Sequence, residues 1–131
     1  MIYLDASAVI TYVTRRAHFH DLDEYLRARK ALEVATSTIG FVETVRICDR
    51  IGEFPHLLPQ LLRDYTELRL TDDIRDRAAT LPGGLRALDA IHVATAETLA
   101  DDLTCLVSYD KRMLDVANTR GLPVAAPGMP A

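Results

Sequence analysis

Residues 85–121, LRALDAIHVATAETLADDLTCLVSYDKRMLDVANTRG, decide the fold. Residues 85–100 predict a regular helix in which Leu85, Ala87, Leu88, Ala90, Ile91, Val93 and Ala94 leave almost no polar face, the pattern of a buried helix. In residues 101–110 the run LTCLVS predicts a strand that ends just before Asp110. Residues 110–121 return to a helical pattern that Gly121 closes. A helix, a strand and a helix in such close succession form the unit of an α/β domain with a mostly parallel sheet, covered on both faces.

Outward from this stretch the same alternation reaches the N-terminus. MIYLD (1–5) predicts a short buried strand, and ASAVITYVT (6–14) a helix entered through Ser7, a residue type that caps helix starts. HDLDEYLRARKALE (20–33) predicts an amphipathic helix with Leu22, Tyr25, Leu26 and Leu32 on one side. VATSTI (34–39) reads as a strand and FVETVRICDRIG (41–52) as a helix closed by Gly52. FPHLLPQLLRDY (54–65) reads as a helix whose start Pro55 and Pro59 restrict. TELRL (66–70) predicts a strand and DDIRDRAATL (72–81) a helix, separated from the next by the LPGG turn. LPVAAP (122–127) ends the pattern with a last strand before a tail expected to fray. With no linker, internal repeat or low-complexity segment, residues 1–131 are expected to form a single three-layer α/β/α domain.

Composition bounds the function. A 49% hydrophobic share and 26% charged share give enough apolar content for one core and argue against a disordered tail. No apolar run approaches the ~18 residues of a membrane span, and MIYLDASAV lacks the basic start of a secretory signal. The expected location is the cytoplasm, with no membrane partner. Cys48 and Cys105 lack metal-type spacing and are expected to be buried, reduced thiols. A net charge of −4 argues against nucleic-acid binding by bulk electrostatics.

Four carboxylates carry the chemistry. Asp5 and Asp110 each follow a strand, and ligands of an open parallel sheet bind outside the carboxyl ends of its strands. Either could equally serve as a helix cap. Asp89 lies in an apolar helical run, where an ionised carboxylate is costly unless paired or bound to a metal. The open alternatives are a capping role there or a pair with Arg86. Glu43 is flanked by Phe41, Val42 and Val45, and its alternative is an ion pair with Arg46. Acids converging on one edge would repel one another without a cation between them. A set of oxygens without a histidine or thiolate cage suits Mg²⁺ or Mn²⁺. Such ions can orient and acidify a water for attack on a phosphoryl group. Ser7 and Ser108, each two residues from an acid, are candidates to orient a ligand or a water, or simply to cap. His92 shares a helical face with Asp89, and a packed core histidine is an equal reading for it.

LDASAV (4–9), FVETVR (41–46), LRALDAIHVATA (85–96), SYDKRML (108–114) and GLPV (121–124) resemble, in order, the motifs of the PIN-domain family. Within that family they look most like the VapC toxins of bacterial toxin–antitoxin pairs. The resemblance covers nearly the whole chain. It implies an endoribonuclease using Mg²⁺ or Mn²⁺, with Asp5, Glu43, Asp89 and Asp110 as its catalytic, metal-holding acids. It also implies a homodimer, a small VapB-like antitoxin partner, and a structured RNA with a single-stranded loop as substrate. Ser108 stands where the family often has Thr, which keeps the hydroxyl. An acidic protein can cut RNA if metal neutralises the site and a few arginines hold the flanking phosphates. Arg46, Arg86 and Arg112 adjoin the motifs and are the candidates. The rival readings are a non-catalytic PIN-like binding module and a phosphoacceptor domain, which would need an acidic pair after the first strand where this chain has Asp5 alone. A haloacid-dehalogenase type of phosphatase would want Asp-x-Asp where Asp5-Ala6-Ser7 stands.

Overall fold

The computed structural model describes residues 1–130, so Ala131, the end of the tail expected to fray, lies outside the described residues. The elements run β1 (Ile2–Leu4), α1 (Ala6–Thr14), α2 (Phe19–Arg27), β2 (Val34–Ser37), α3 (Thr38–Ile51), α4 (Leu57–Asp64) and β3 (Thr66–Leu68). They continue with α5 (Asp72–Ala79), α6 (Ala87–Thr98), a 3₁₀ turn (Ala100–Asp102), β4 (Cys105–Val107), α7 (Lys111–Thr119) and β5 (Val124–Ala125). The five strands form a parallel sheet in the order β3-β2-β1-β4-β5.

Strand alternation creates the three layers. Ile2 and Leu4 of β1, with Val107 of β4, face one core shared with Ala8, Val9, Leu22, Phe41, Cys48, Leu57 and Leu61 of α1 to α4. Tyr3 and Leu106 face the opposite layer with Ala96 and Ala117 of α6 and α7. Ile74, Leu81, Ala90, Val93, Ala94 and Met113 extend that layer between α5, α6 and α7. Residues 2–4 are wholly buried, as a central parallel strand requires. Both cysteines are free and buried, as expected.

The order of the strands positions the site. From β1 the chain winds outward to β2 and β3, then returns to the other side of β1 as β4. The sheet thus has its switch point between β1 and β4, where Leu4 pairs with Val107. Helices leave the two strands on opposite faces there, and a crevice opens beyond their carboxyl ends. Asp5 and Ser108, the next residues of the two strands, stand at its mouth.

Several boundaries differ from the sequence reading for identifiable reasons. α1 is capped by Asp5 and not by Ser7: the Asp5 carboxylate accepts from Ala8 N. α3 begins at Thr38, inside the expected strand, because Ser37 Oγ accepts from Gly40 N and caps it. α2 stops at Arg27, since Glu33 O already accepts from Ile2 N at the sheet and the chain must turn before it. Leu32 therefore lies past the helix and is exposed rather than part of its apolar side. In α4, Pro59 is tolerated because it falls in the first turn, where no helical N–H is needed. α6 starts at Ala87, at the rim, so Ala87 and Leu88 are exposed and the helix is buried only from Ala90 to Ala96, apart from the half-buried Ile91. The tail is tied down through Pro127, whose carbonyl accepts from Tyr109 Oη at 2.8 Å.

Candidate active site

Asp5, Glu43, Asp89 and Asp110 line one cleft of about 270 Å³ above the switch point. The backbone around each acid explains its placement. Asp5 and Asp110 are indeed helix caps, accepting from Ala8 N at 3.0 Å and Met113 N at 3.2 Å. Capping and membership of the cleft are compatible, because a cap directly after a strand must sit at the sheet's carboxyl edge. Asp89 is the third residue of α6, so it meets the positive end of that helix from within the first turn. Glu43 projects from the second turn of α3, and its Oε1 takes a hydrogen bond from His92 and not from Arg46.

Asp5 is the most tightly held. Its Oδ1 accepts from Ser7 Oγ at 2.7 Å as well as from Ala8 N, and its Oδ2 accepts from Ser108 Oγ at 2.6 Å. The two serines are fixed in turn: Ser7 Oγ accepts from Tyr109 N at 2.9 Å and Ser108 Oγ from Asp110 N at 3.0 Å. They thus clamp β1's end to β4's end through a carboxylate that is only 2% exposed. Burial pushes the Asp5 carboxyl above the usual carboxylate range, against the His92 ring and the three donors, which pull it down. Asp89 is also pushed up, first by burial and then by the charges of Asp110, Glu43 and Asp5, with His92 opposing. The cleft therefore has an excess of negative charge that its own groups do not cancel.

This donor set fits a hard divalent cation. His92 spends both ring nitrogens, on Tyr3 Oη at 2.6 Å and Glu43 Oε1 at 2.8 Å, so the acids' oxygens are the donors left facing the cleft. Among the described residues the acids are not drawn into a ready-made cage. Mg²⁺ is commonly held by one or two carboxylates and keeps several waters, so a looser set suits it.

Of the proposed arginines, only Arg86 lines the cleft. Arg46 is exposed on α3, away from it, and Arg112 donates to Gly84 O at 3.2 Å. The sequence reading missed Arg16. Its side chain folds back along α1, with Nε donating to Thr11 Oγ1 at 3.1 Å and Nη2 to Ser7 O at 3.3 Å, and it lines the cleft opposite α6. The available signal was Thr11, a polar residue one turn after Ser7 on the helix face that the cleft uses. A roomier concavity of about 560 Å³ lies elsewhere, against Tyr12, Phe19, Phe54 and Tyr65; its Asp23 is already bonded to Arg27 and Tyr12.

Known proteins share this chain's pattern. The PIN domain family model matches residues 2–119. Ribonuclease VapC47 of Mycobacterium tuberculosis is 35% identical over 133 aligned positions, covering 98% of each chain. Among solved structures, M. tuberculosis VapC20, described as a sarcin–ricin loop cleaving toxin, superposes with a TM-score of 0.73 at 17% identity, over 97% of this chain and 100% of that one. A toxin–antitoxin complex from Klebsiella pneumoniae gives 0.69 at 21% identity, over 97% and 98%. The fold, the order of the motifs and the near full-length identity agree: this chain belongs to the PIN domain family, within its VapC branch.

Proposed function

We propose that this chain is a metal-dependent endoribonuclease, the toxin of a VapBC-type toxin–antitoxin pair acting in the cytoplasm. The observation that carries the reading is the convergence of four carboxylates on one cleft at the sheet's switch point. The repulsion from Asp110, Glu43 and Asp5 that helps to raise the Asp89 carboxyl would be relieved by a cation there. Asp5, Glu43, Asp89 and Asp110 would hold Mg²⁺ or Mn²⁺, which supplies an acidified water and offsets charge on the phosphoryl group.

The chain's own residues do the rest. Ser7 and Ser108 fix the Asp5 carboxylate so that it does not reorganise as charge builds up in the cleft. Arg16 and Arg86, both lining the cleft, hold the phosphates flanking the scissile bond, and Arg16 is pre-aligned by Thr11 and Ser7. Two arginines beside a metal site, one of them held in place, are how a chain of net charge −4 would engage RNA.

An antitoxin and a second copy are the expected partners. Val42, Ile47 and Ile51 of α3 and Leu58 and Leu62 of α4 are all exposed, more apolar surface than two adjacent helices need show to water. Among the described residues no helix is long and apolar enough to cross a membrane.

The test is cleavage of total bacterial RNA by the purified chain, with Mg²⁺, with Mn²⁺ and with excess chelator, beside Asp5→Asn. Discrete fragments that need metal and vanish in the variant support the reading. Metal-independent cleavage, or cleavage by a folded Asp5→Asn, refutes it.

A further inference from the structure

Beneath the acids lies a buried chain of polar groups that metal holding alone does not use. The Tyr3 phenol and the His92 ring are essentially without solvent contact, yet they meet at 2.6 Å across the β1–α6 interface. From the other ring nitrogen His92 reaches Glu43 Oε1 at 2.8 Å, joining α6 to α3. Two unrelated segments thus converge on one face of Glu43, while its Oε2 has no hydrogen bond among the described residues. Gly40, one turn before Glu43, lies against the same group: a Cβ there would collide with Thr36 Oγ1 and come into contact with His92 Cε1.

Hydrogen positions follow from the partners. An ionised carboxylate only accepts, so Nε2 must carry the hydrogen that faces Glu43. Tyr3 is buried, and burial raises its phenol further above the range where it ionises, so it keeps its proton. The Tyr3 hydroxyl at Nδ1 and the Glu43 carboxylate at Nε2 hold the ring at both ends, which fixes its orientation.

We propose that Tyr3 and His92 are positioning residues. The Tyr3 hydroxyl meets Nδ1 and holds the ring in place, and the Nε2–H fixes one oxygen of Glu43 so that the other is left to the metal. The assignment rests on Glu43 being a metal ligand, as proposed above. It gives this glutamate, the only one of the four acids with a long flexible side chain, the rigidity that Asp5 obtains from its serines.

The experiment reads the ring and the metal separately. In the metal-free protein, nitrogen NMR of His92 is expected to show hydrogen on Nε2; a ring without hydrogen on Nε2 overturns the proposal. Mn²⁺ titration of metal-free protein, followed by electron paramagnetic resonance, is expected to show about 10–100-fold weaker binding in His92→Phe, the range for lost partners of a metal ligand. His92→Gln, which keeps an N–H near Glu43, should recover most of that loss. Wild-type Mn²⁺ affinity in a folded His92→Phe overturns the assignment. If His92→Phe gives no cooperative melt, Tyr3→Phe carries the test. It should weaken Mn²⁺ binding, and unchanged affinity overturns the proposal. RNA left intact by wild-type protein with bound Mn²⁺ and the expected ring would instead sink the nuclease reading and leave this assignment standing.

Discussion

Replacing Ser108 by alanine removes one oxygen and strands two buried groups. Ser108 is fully buried, and its hydroxyl donates to Asp5 Oδ2 at 2.6 Å while accepting from Asp110 N at 3.0 Å. A hydrogen bond to a charged group contributes about 1.5–3 kcal/mol, and a buried amide left bare costs about 1 kcal/mol or more, so Ser108→Ala should lower stability by about 2–4 kcal/mol near pH 7. The deficit should depend on pH. Ser108 is one of the groups that hold the Asp5 carboxyl down against burial, so its loss raises that carboxyl further. A carboxyl raised in the folded state is most favourable to folding below its unfolded pKa of ~3.9, and that advantage is lost as pH rises through the folded value. The variant therefore loses more than wild type between acid and neutral pH, and the gap should narrow toward pH 4. Urea unfolding of metal-free protein at several pH values is the assay. A difference within about 0.5 kcal/mol at pH 7, the scatter of ordinary surface substitutions, would refute the clamp; a gap that widens toward acid would refute its charge-assisted character.

Other outcomes follow from the same charges. Asp89→Asn should abolish cleavage while raising the melting temperature of metal-free protein at neutral pH, because it removes a carboxylate pushed up by burial and by Asp110, Glu43 and Asp5; a lower melting temperature would contradict this. Wild-type protein in chelator should lose stability as pH rises from ~4 toward neutrality, since Asp5 and Asp89 are both raised, and Mg²⁺ at neutral pH should restore it by binding only the folded form. Urea midpoints with and without metal check both halves, and a metal-free midpoint flat with pH speaks against them. Arg16→Ala and Arg86→Ala should each raise KM for RNA about tenfold, one bidentate phosphate contact being worth ~1–2 kcal/mol. Arg46→Ala should leave KM unchanged, since Arg46 lies off the cleft; equal effects at all three positions would mean that charge and not placement matters.

What the sequence made legible was local. Asp5 and Asp110 follow short apolar runs, so their place at the strand ends, and thus in the crevice, could be read without knowing what the strands pair with. Glu43 and Asp89 could be placed on helices, but their convergence depends on α3 and α6 meeting over β1, which the motif resemblance supplied and periodicity did not. Partners distant in the chain stayed hidden. Tyr3 and His92 are 89 residues apart and His92 and Glu43 49, so their bonds exist only once the sheet has formed. For the arginines, nearness in the chain and nearness to the cleft diverge. Arg46 sits three residues from Glu43 yet faces solvent, whereas Arg16 is eleven residues from Asp5 and returns to it along α1. Some boundaries moved because side chains cap helices earlier or later than the apolar pattern suggests, as at Asp5 and Ser37, and α2 ended early because the sheet claims Glu33.

The central claim is that Asp5, Glu43, Asp89 and Asp110 form one metal-holding site. Mn²⁺ binding to metal-free wild type and to Asp5→Asn, Glu43→Gln, Asp89→Asn and Asp110→Asn tests it most directly, with melting curves to establish folding. The account expects a saturable site in wild type that every one of the four variants weakens. Folded variants that all bind Mn²⁺ as wild type does, or a wild type that binds none, would contradict it.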